Sequence, residues 1–156
     1  MRLALVAALA SVALAGTVHA QPKKQPAAAP TVSCELFEVA LSNEKDAPKP
    51  DPALAPLAKK LAKPPFSAWN TQKLLSHTTQ ELTQNTTANY AVKVGKVQAL
   101  LQNVTAKTSV QMQLQVDDSK GKRVMNTQIT IAGADFFMTT RQEANNTQHL
   151  IALTCK

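Results

Sequence analysis

The most regular signal along the chain lies at residues 110–116, where Val110, Met112, Leu114 and Val116 alternate with Gln111, Gln113 and Gln115. A period of two places the four apolar side chains on one face and the glutamines on the other, which predicts a strand buried on one side and wet on the other. Asp117-Asp118-Ser119-Lys120-Gly121 has the composition of a turn. Arg123 to Ile131 then returns as the partner strand, with Val124 or Met125 setting its register. Upstream, Val32 to Leu41 and Val97 to Ala106 read as strands, and Gln72 to Thr79 and Tyr90 to Val94 as less regular ones. Downstream, Ala132-Gly133-Ala134-Asp135 turns, Phe136 to Thr140 is a strand, Glu143-Ala144-Asn145-Asn146 turns again, and Gln148 to Cys155 closes the domain.

One segment has a different period. Leu54, Leu57, Ala58 and Leu61 fall at i, i+3, i+4 and i+7, which predicts a short helix near residues 52–63. Asp51 is placed to cap it and Pro52 to open it. Lys59, Lys60 and Lys63 sit where the helix dipole favours cations, Pro56 removes one donor from its interior, and Pro64-Pro65 ends it. The pattern as a whole predicts an all-β fold, a β-sandwich of about seven to eight antiparallel strands with this one helix, occupying residues 32–156 as a single domain.

The remaining residues bear on destination. Met1 to Ala20 reads as a signal peptide: Arg2 is the basic n-region, Leu3 to Ala15 an apolar run broken only by Ser11, and Val18-His19-Ala20 a cleavage site. Residues 21–31, rich in Pro, Ala and Lys, are expected to form an extended tether. No later stretch is apolar for long enough to span a membrane. Loss of Arg2 with the leader takes one from the 17 basic residues, leaving 16 against 10 acidic ones, a charge of +6. That balance favours anionic surfaces or polymers, and equally keeps a small domain soluble. Cys34 and Cys155 are the two cysteines, one near each end of the domain. In an oxidising compartment they are expected to pair, which requires the terminal strands to be adjacent or to face each other across two sheets.

The run Pro64-Pro65-Phe66-x-Ala68-Trp69-x-x-x-Lys73-Leu74-Leu75, followed by strands, resembles a group of small exported Gram-negative β-rich proteins of unassigned function. The resemblance covers most of residues 32–156. It implies export and a β fold, and it supplies no catalytic residue.

Candidate chemistry is sparse. His77 and His149 lie in no metal-ligand spacing, and no metal or cofactor is expected. A G-x-S-x-G elbow is missing, and Ser76 and His77, being adjacent on a strand, point to opposite faces. Glu35 and Glu38 likewise lie on opposite faces of the first strand, so they form no acid/base pair. Asp117-Asp118 lacks the ligand spacing of a calcium loop. The aromatic residues Phe37, Phe66, Trp69, Tyr90, Phe136 and Phe137 have core-like contexts rather than the interleaving with charge that nucleic acid needs. Asn85, Asn103 and Asn145 begin glycosylation-like triplets that an Asn/Thr-rich chain produces by chance.

The expectation is therefore a periplasmic or secreted, non-enzymatic binding or structural accessory of the cell envelope. Its partner would be an envelope protein or, alternatively, an anionic lipid, polymer or small ligand, and not nucleic acid; a hydrolase ranks last. The residues expected to make contact are Phe66 and Trp69 near the lip of the sandwich, where Trp69 is either a plug of the open end or a partner anchor, and Lys120, Lys122 and Arg123 at the hairpin tip.

Overall fold

The structure, a computed structural model, describes residues 28–46, 48–49, 51–105, 109–143 and 147–156. The expected signal peptide, most of the tether and part of the turn at 143–146 lie outside the described residues. Among the described residues there are eight strands: β1 (Thr31–Ser42), β2 (Thr71–Thr83), β3 (Thr87–Tyr90), β4 (Lys96–Thr105), β5 (Ser109–Asp117), β6 (Arg123–Ala132), β7 (Phe137–Gln142) and β8 (Gln148–Cys155). They form two four-stranded antiparallel sheets, ordered β2-β1-β8-β7 and β3-β4-β5-β6. The fold is an all-β sandwich.

Strand β5 buries Val110, Met112, Leu114 and Val116 against the facing sheet, as its alternation requires. Across the gap Val32, Cys34 and Leu36 of β1 and Ile151, Leu153 and Cys155 of β8 complete the main core. The first sheet is covered on its other face as well. There Phe37, Val39, Leu41, Leu150 and Ala152 form a second apolar cluster under Leu54, Leu57 and Leu61. Strands β1 and β8 are central and buried on both faces, so they read as nearly continuous apolar runs instead of alternating ones.

The covering segment is helical where the apolar spacing predicted a helix. Asp51 caps it, accepting from the amide of Ala53 at 2.9 Å. Pro56 lies inside, and the first six residues, Pro52–Leu57, take the tighter 3-10 form before a single α-helical turn, α1 (Ala58–Leu61). Lys60 reaches from this turn to Asp135 in the β6–β7 connection at 2.5 Å.

One expected strand is not formed. Tyr90 to Val94 was to pair along its length, but β3 ends at Tyr90 and residues 91–95 leave the ladder. The amides of Lys93 and Val94 turn instead towards a carboxylate in the opposite sheet, described below, and Gly95 adopts φ +76. The register of β6 is also settled by an irregularity. Val116 pairs with Met125 and Asp117 with Arg123, leaving Val124 as the extra residue of a bulge. Met125 therefore faces the core, and Val124 is 46% exposed.

Candidate functional site

A bulge in β2 begins the site. Glu38 pairs with Ser76 and Val39 with Leu74, so Leu75 is the extra residue, and the side chains of Glu38 and Ser76 point together into the sandwich. Strand β8 adds His149, two positions from Ile151 and on the same inner face. The result is a carboxylate with no solvent exposure, held by four donors from three parts of the fold. Oε2 accepts from the Ser76 hydroxyl at 2.5 Å and the Lys93 amide at 2.6 Å. Oε1 accepts from the Val94 amide at 2.8 Å and lies 2.8 Å from Nε2 of His149. Burial pushes the Glu38 pKa up, and the hydrogen bonds from His149, Lys93, Ser76 and Val94 more than offset it, holding the group at about 2. Because an ionised carboxylate only accepts, Nε2 of His149 carries the hydrogen of that bond.

This arrangement is a structural tie with limited chemical capacity. The order is hydroxyl–carboxylate–imidazole, so Ser76 donates to Glu38 and does not meet His149. A nucleophilic serine needs the imidazole as its direct proton acceptor, and a carboxylate held near 2 takes no proton from an alcohol at neutral pH. What the tie does is join the sheets, since β1, β2 and β8 belong to one and the Lys93–Val94 loop to the other.

Gly95 makes that loop possible. Its φ is left-handed, and a Cβ there would fall on the carbonyl oxygen of Asp117, far inside contact distance. Gly95→Ala is expected to cost about 2–3 kcal/mol through backbone strain and loss of loop placement. Urea unfolding reads this directly, and a midpoint equal to wild type would contradict the account of the loop.

The same Asp117 carbonyl accepts from Nη1 of Arg141 at 3.2 Å, while Nε of Arg141 pairs with Glu143 at 2.6 Å. Arg141 sits on edge strand β7 directly opposite His149, so the guanidinium crosses from one sheet to the other at the open β6–β7 side. A cavity of about 120 Å3 lies here, lined by Val116, Val124, Met125, Thr139, Thr140, Arg141, His149 and Ile151. Nη2 of Arg141 and Nδ1 of His149 are buried without a hydrogen-bond partner among the described residues. Glu38, His149 and Arg141 were not singled out by sequence as functional. The available signal was a charged residue inside the apolar run Leu36-Phe37-Glu38-Val39, since a group buried in a central strand needs partners wherever it points.

The sequence-predicted contact residues do not converge. Phe66 and Trp69 are half-buried and pack against the outer apolar cluster beside the helical segment. This corrects the expectation that Trp69 plugs the end of the sandwich; the Pro-Pro-Phe segment follows α1 and stays on its face of the sheet. Lys120, Lys122 and Arg123 are exposed at the β5–β6 tip, on the other sheet. Arg123 pairs with Asp117 at 2.8 Å, and the Asp118 carboxylate accepts from the amides of Lys120 and Lys122, both at 2.9 Å. Asp118 is thus occupied in shaping the turn. Among the described residues no cluster of His, Cys, Asp and Glu has metal-binding geometry. Ser76 and His77 do diverge as expected: His77 stacks on Phe37 with ring centroids 4.1 Å apart, on the opposite face from Glu38.

Cys34 and Cys155 are bonded and stand directly opposite on adjacent strands, with Cα atoms 4.0 Å apart. Such a bridge points to an oxidising, non-cytoplasmic compartment. Among the described residues no helix is long and apolar enough to cross a membrane. The chain matches no family model, no curated protein and no solved structure.

Proposed function

We propose that the protein is an exported, non-catalytic binding module of a bacterial envelope, periplasmic or secreted, whose recognition surface is the open β6–β7 side. The observation that carries this reading is the cavity there, about 120 Å3, with an apolar wall of Val116, Val124, Met125 and Ile151 and with Arg141 and His149 among its lining residues. An apolar recess bordered by a few polar side chains is the usual form of a binding site. The disulfide supports the exported location, and the resemblance of the Pro64–Leu75 run to exported Gram-negative proteins agrees with it. In this reading Phe66 and Trp69 serve the outer core, and Lys120 and Lys122 stay exposed at the β5–β6 tip. The preferred partner is an envelope protein, with an anionic lipid or small ligand as the alternative; neither nucleic acid nor catalysis is part of the proposal.

The test compares immobilised oxidised protein with its Val124→Glu variant in envelope extract. Val124 is exposed at the bulge, so the change alters the cavity mouth and spares the core. Retention of a component by wild type and its loss in the variant is expected. Equal retention by both, or by neither, would refute the surface assignment.

A further inference from the structure

We propose that the outer face of the β3-β4-β5-β6 sheet is a docking surface for an uncharged, β-linked glycan chain lying across the strands. It is a second surface, separate from the β6–β7 cavity and independent of what binds there. The polar half of the β5 alternation is glutamine at 111, 113 and 115, and strand register extends that chemistry to the neighbours. Asn89, Gln98, Gln115 and Asn126 stand directly opposite one another, so one rung of four carboxamides crosses the whole sheet. The next rung is Thr87, Leu100, Gln113 and Gln128, and in the one after it Gln111 stands between Asn103 and Thr130. None of these side chains is ionisable, in a chain that is 17% charged. A well-solvated surface carries Lys, Arg, Glu or Asp at roughly 25–35% of its positions, so three successive rungs without one are more than solubility asks for. Charge resumes at the rung on the β5–β6 tip side, where Lys96, Asp117 and Arg123 align and Asp117 pairs with Arg123 at 2.8 Å.

The face is open, and its amides are held in place. The helical segment covers the outer side of the other sheet. Here the outward side chains are half-buried or exposed, and none belongs to an apolar cluster of the described residues. Nε2 of Gln98 donates to Oδ1 of Asn89, Nε2 of Gln113 to Oδ1 of Asn126, and Nε2 of Gln128 reaches over β5 to Oε1 of Gln102, each at 2.8 Å. Each of these pairs leaves one carbonyl oxygen and one NH2 without a partner among the described residues.

That pattern selects a ligand class. Neutral groups that both donate and accept match hydroxyl and acetamido groups, which do the same. The face offers an ionic ligand no counter-charge, and it offers a nucleobase no aromatic platform. Side chains already fixed by one another lose little freedom on binding. The spacing agrees as well. Neighbouring groups in a rung repeat at the strand separation of about 4.8 Å, close to the advance per ring of an extended β-linked chain. Four strands present about 14 Å of such positions, which suits a stretch of about three or four sugar rings.

The experiment is an NMR titration of the full oxidised protein, reading the side-chain NH2 signals of Asn and Gln. The probes are chitobiose, chitotetraose, chitohexaose and cellotetraose, with maltotetraose and tetragalacturonate as controls. At least one of the two β-linked tetrasaccharides is expected to shift the NH2 signals of Gln98, Gln113 and Gln115, and the tighter one shows whether acetamido or hydroxyl groups are preferred. If chitotetraose is the tighter, it should bind about tenfold better than chitobiose and no worse than chitohexaose, since four rings fill the face. Maltotetraose, coiled by its α-linkages, and tetragalacturonate, charged on every ring, should each be weaker by about tenfold or more. The double variant Gln98→Ala/Gln115→Ala alters only outward side chains, so it should keep the wild-type urea midpoint and weaken the favoured tetrasaccharide about tenfold. Val124→Glu should leave this titration unchanged. No binding of either β-linked tetrasaccharide at millimolar concentration, equal binding of tetragalacturonate, or indifference to the double variant would overturn the proposal. Loss of glycan binding in Val124→Glu would overturn the placement of the site. Retention from envelope extract is read separately, so either surface can fail while the other stands.

Discussion

Removing the Cys34–Cys155 bridge is expected to lower the stability of the protein by about 5 kcal/mol, the value the chain-entropy model assigns to a closed segment of this length. The two cysteines are separated by 121 positions, so an unbridged unfolded chain gains nearly the whole domain's worth of freedom. The native state changes little, because β1 and β8 are already joined by their own ladder from Cys34–Cys155 to Leu41–Gln148 and by paired Ser33 and Lys156 backbones beyond the bridge. Domains of this size have a total stability of roughly 5–15 kcal/mol, so the loss is a large share of it. Both sulfurs are buried in the main core, and the double variant Cys34→Ala/Cys155→Ala avoids placing hydroxyls there. Urea unfolding of that variant, and of wild type with and without reductant, measures the effect. A loss under about 1 kcal/mol would mean that the unfolded chain is already compact or that strain in the bridge offsets its benefit.

Glu38 is expected to have the second largest effect. Glu38→Ala would leave the Lys93 and Val94 amides, the Ser76 hydroxyl and Nε2 of His149 without their acceptor inside the protein, at a cost of about 3 kcal/mol or more. Glu38→Gln is expected to be nearly as harmful. Each carboxylate oxygen takes two donors, so an NH2 in place of either sets donor against donor. The effect has a pH signature. The folded-state pKa of Glu38 is depressed from 4.5 to about 2, so the unfolded chain takes up this proton first on acidification. The contribution is present in full above about 4.5 and is lost as pH falls towards 2, and on the order of 2–3 kcal/mol disappears across that window. Unfolding of wild type and Glu38→Gln at pH 7, 4 and 2.5 tests it. The gap between them should narrow in acid, and a constant gap would show that Glu38 is not held ionised by this network.

The local devices of the fold were legible. The Val/Met/Leu/Val alternation of residues 110–116, the Asp51 cap with its apolar stripe, and the turn at 117–121 each depend on contacts within a few residues, so composition and period reveal them. The segment at 90–94 was misread because its β-rich composition is genuine, yet its amides are drawn to Glu38, 55 and 56 positions away. Trp69 was placed at the wrong surface for a related reason: an aromatic after a rigid turn announces burial without naming the face that buries it. The cavity was invisible. It arises from a bulge at Val124 in one sheet facing an edge strand of the other, and a one-residue register slip has no local sequence marker.

By itself, the sequence determined the class of the fold, its helical cover, and the two sulfurs at the ends of the domain, because periodicity, capping and residue type act at short range. Only the tertiary structure decided that the terminal strands are neighbours, that Glu38 binds the two sheets together, and that Arg141 and His149 meet at an open edge. Those outcomes rest on the pairing of strands distant in sequence and on desolvation, which makes each buried charge find a partner across the fold.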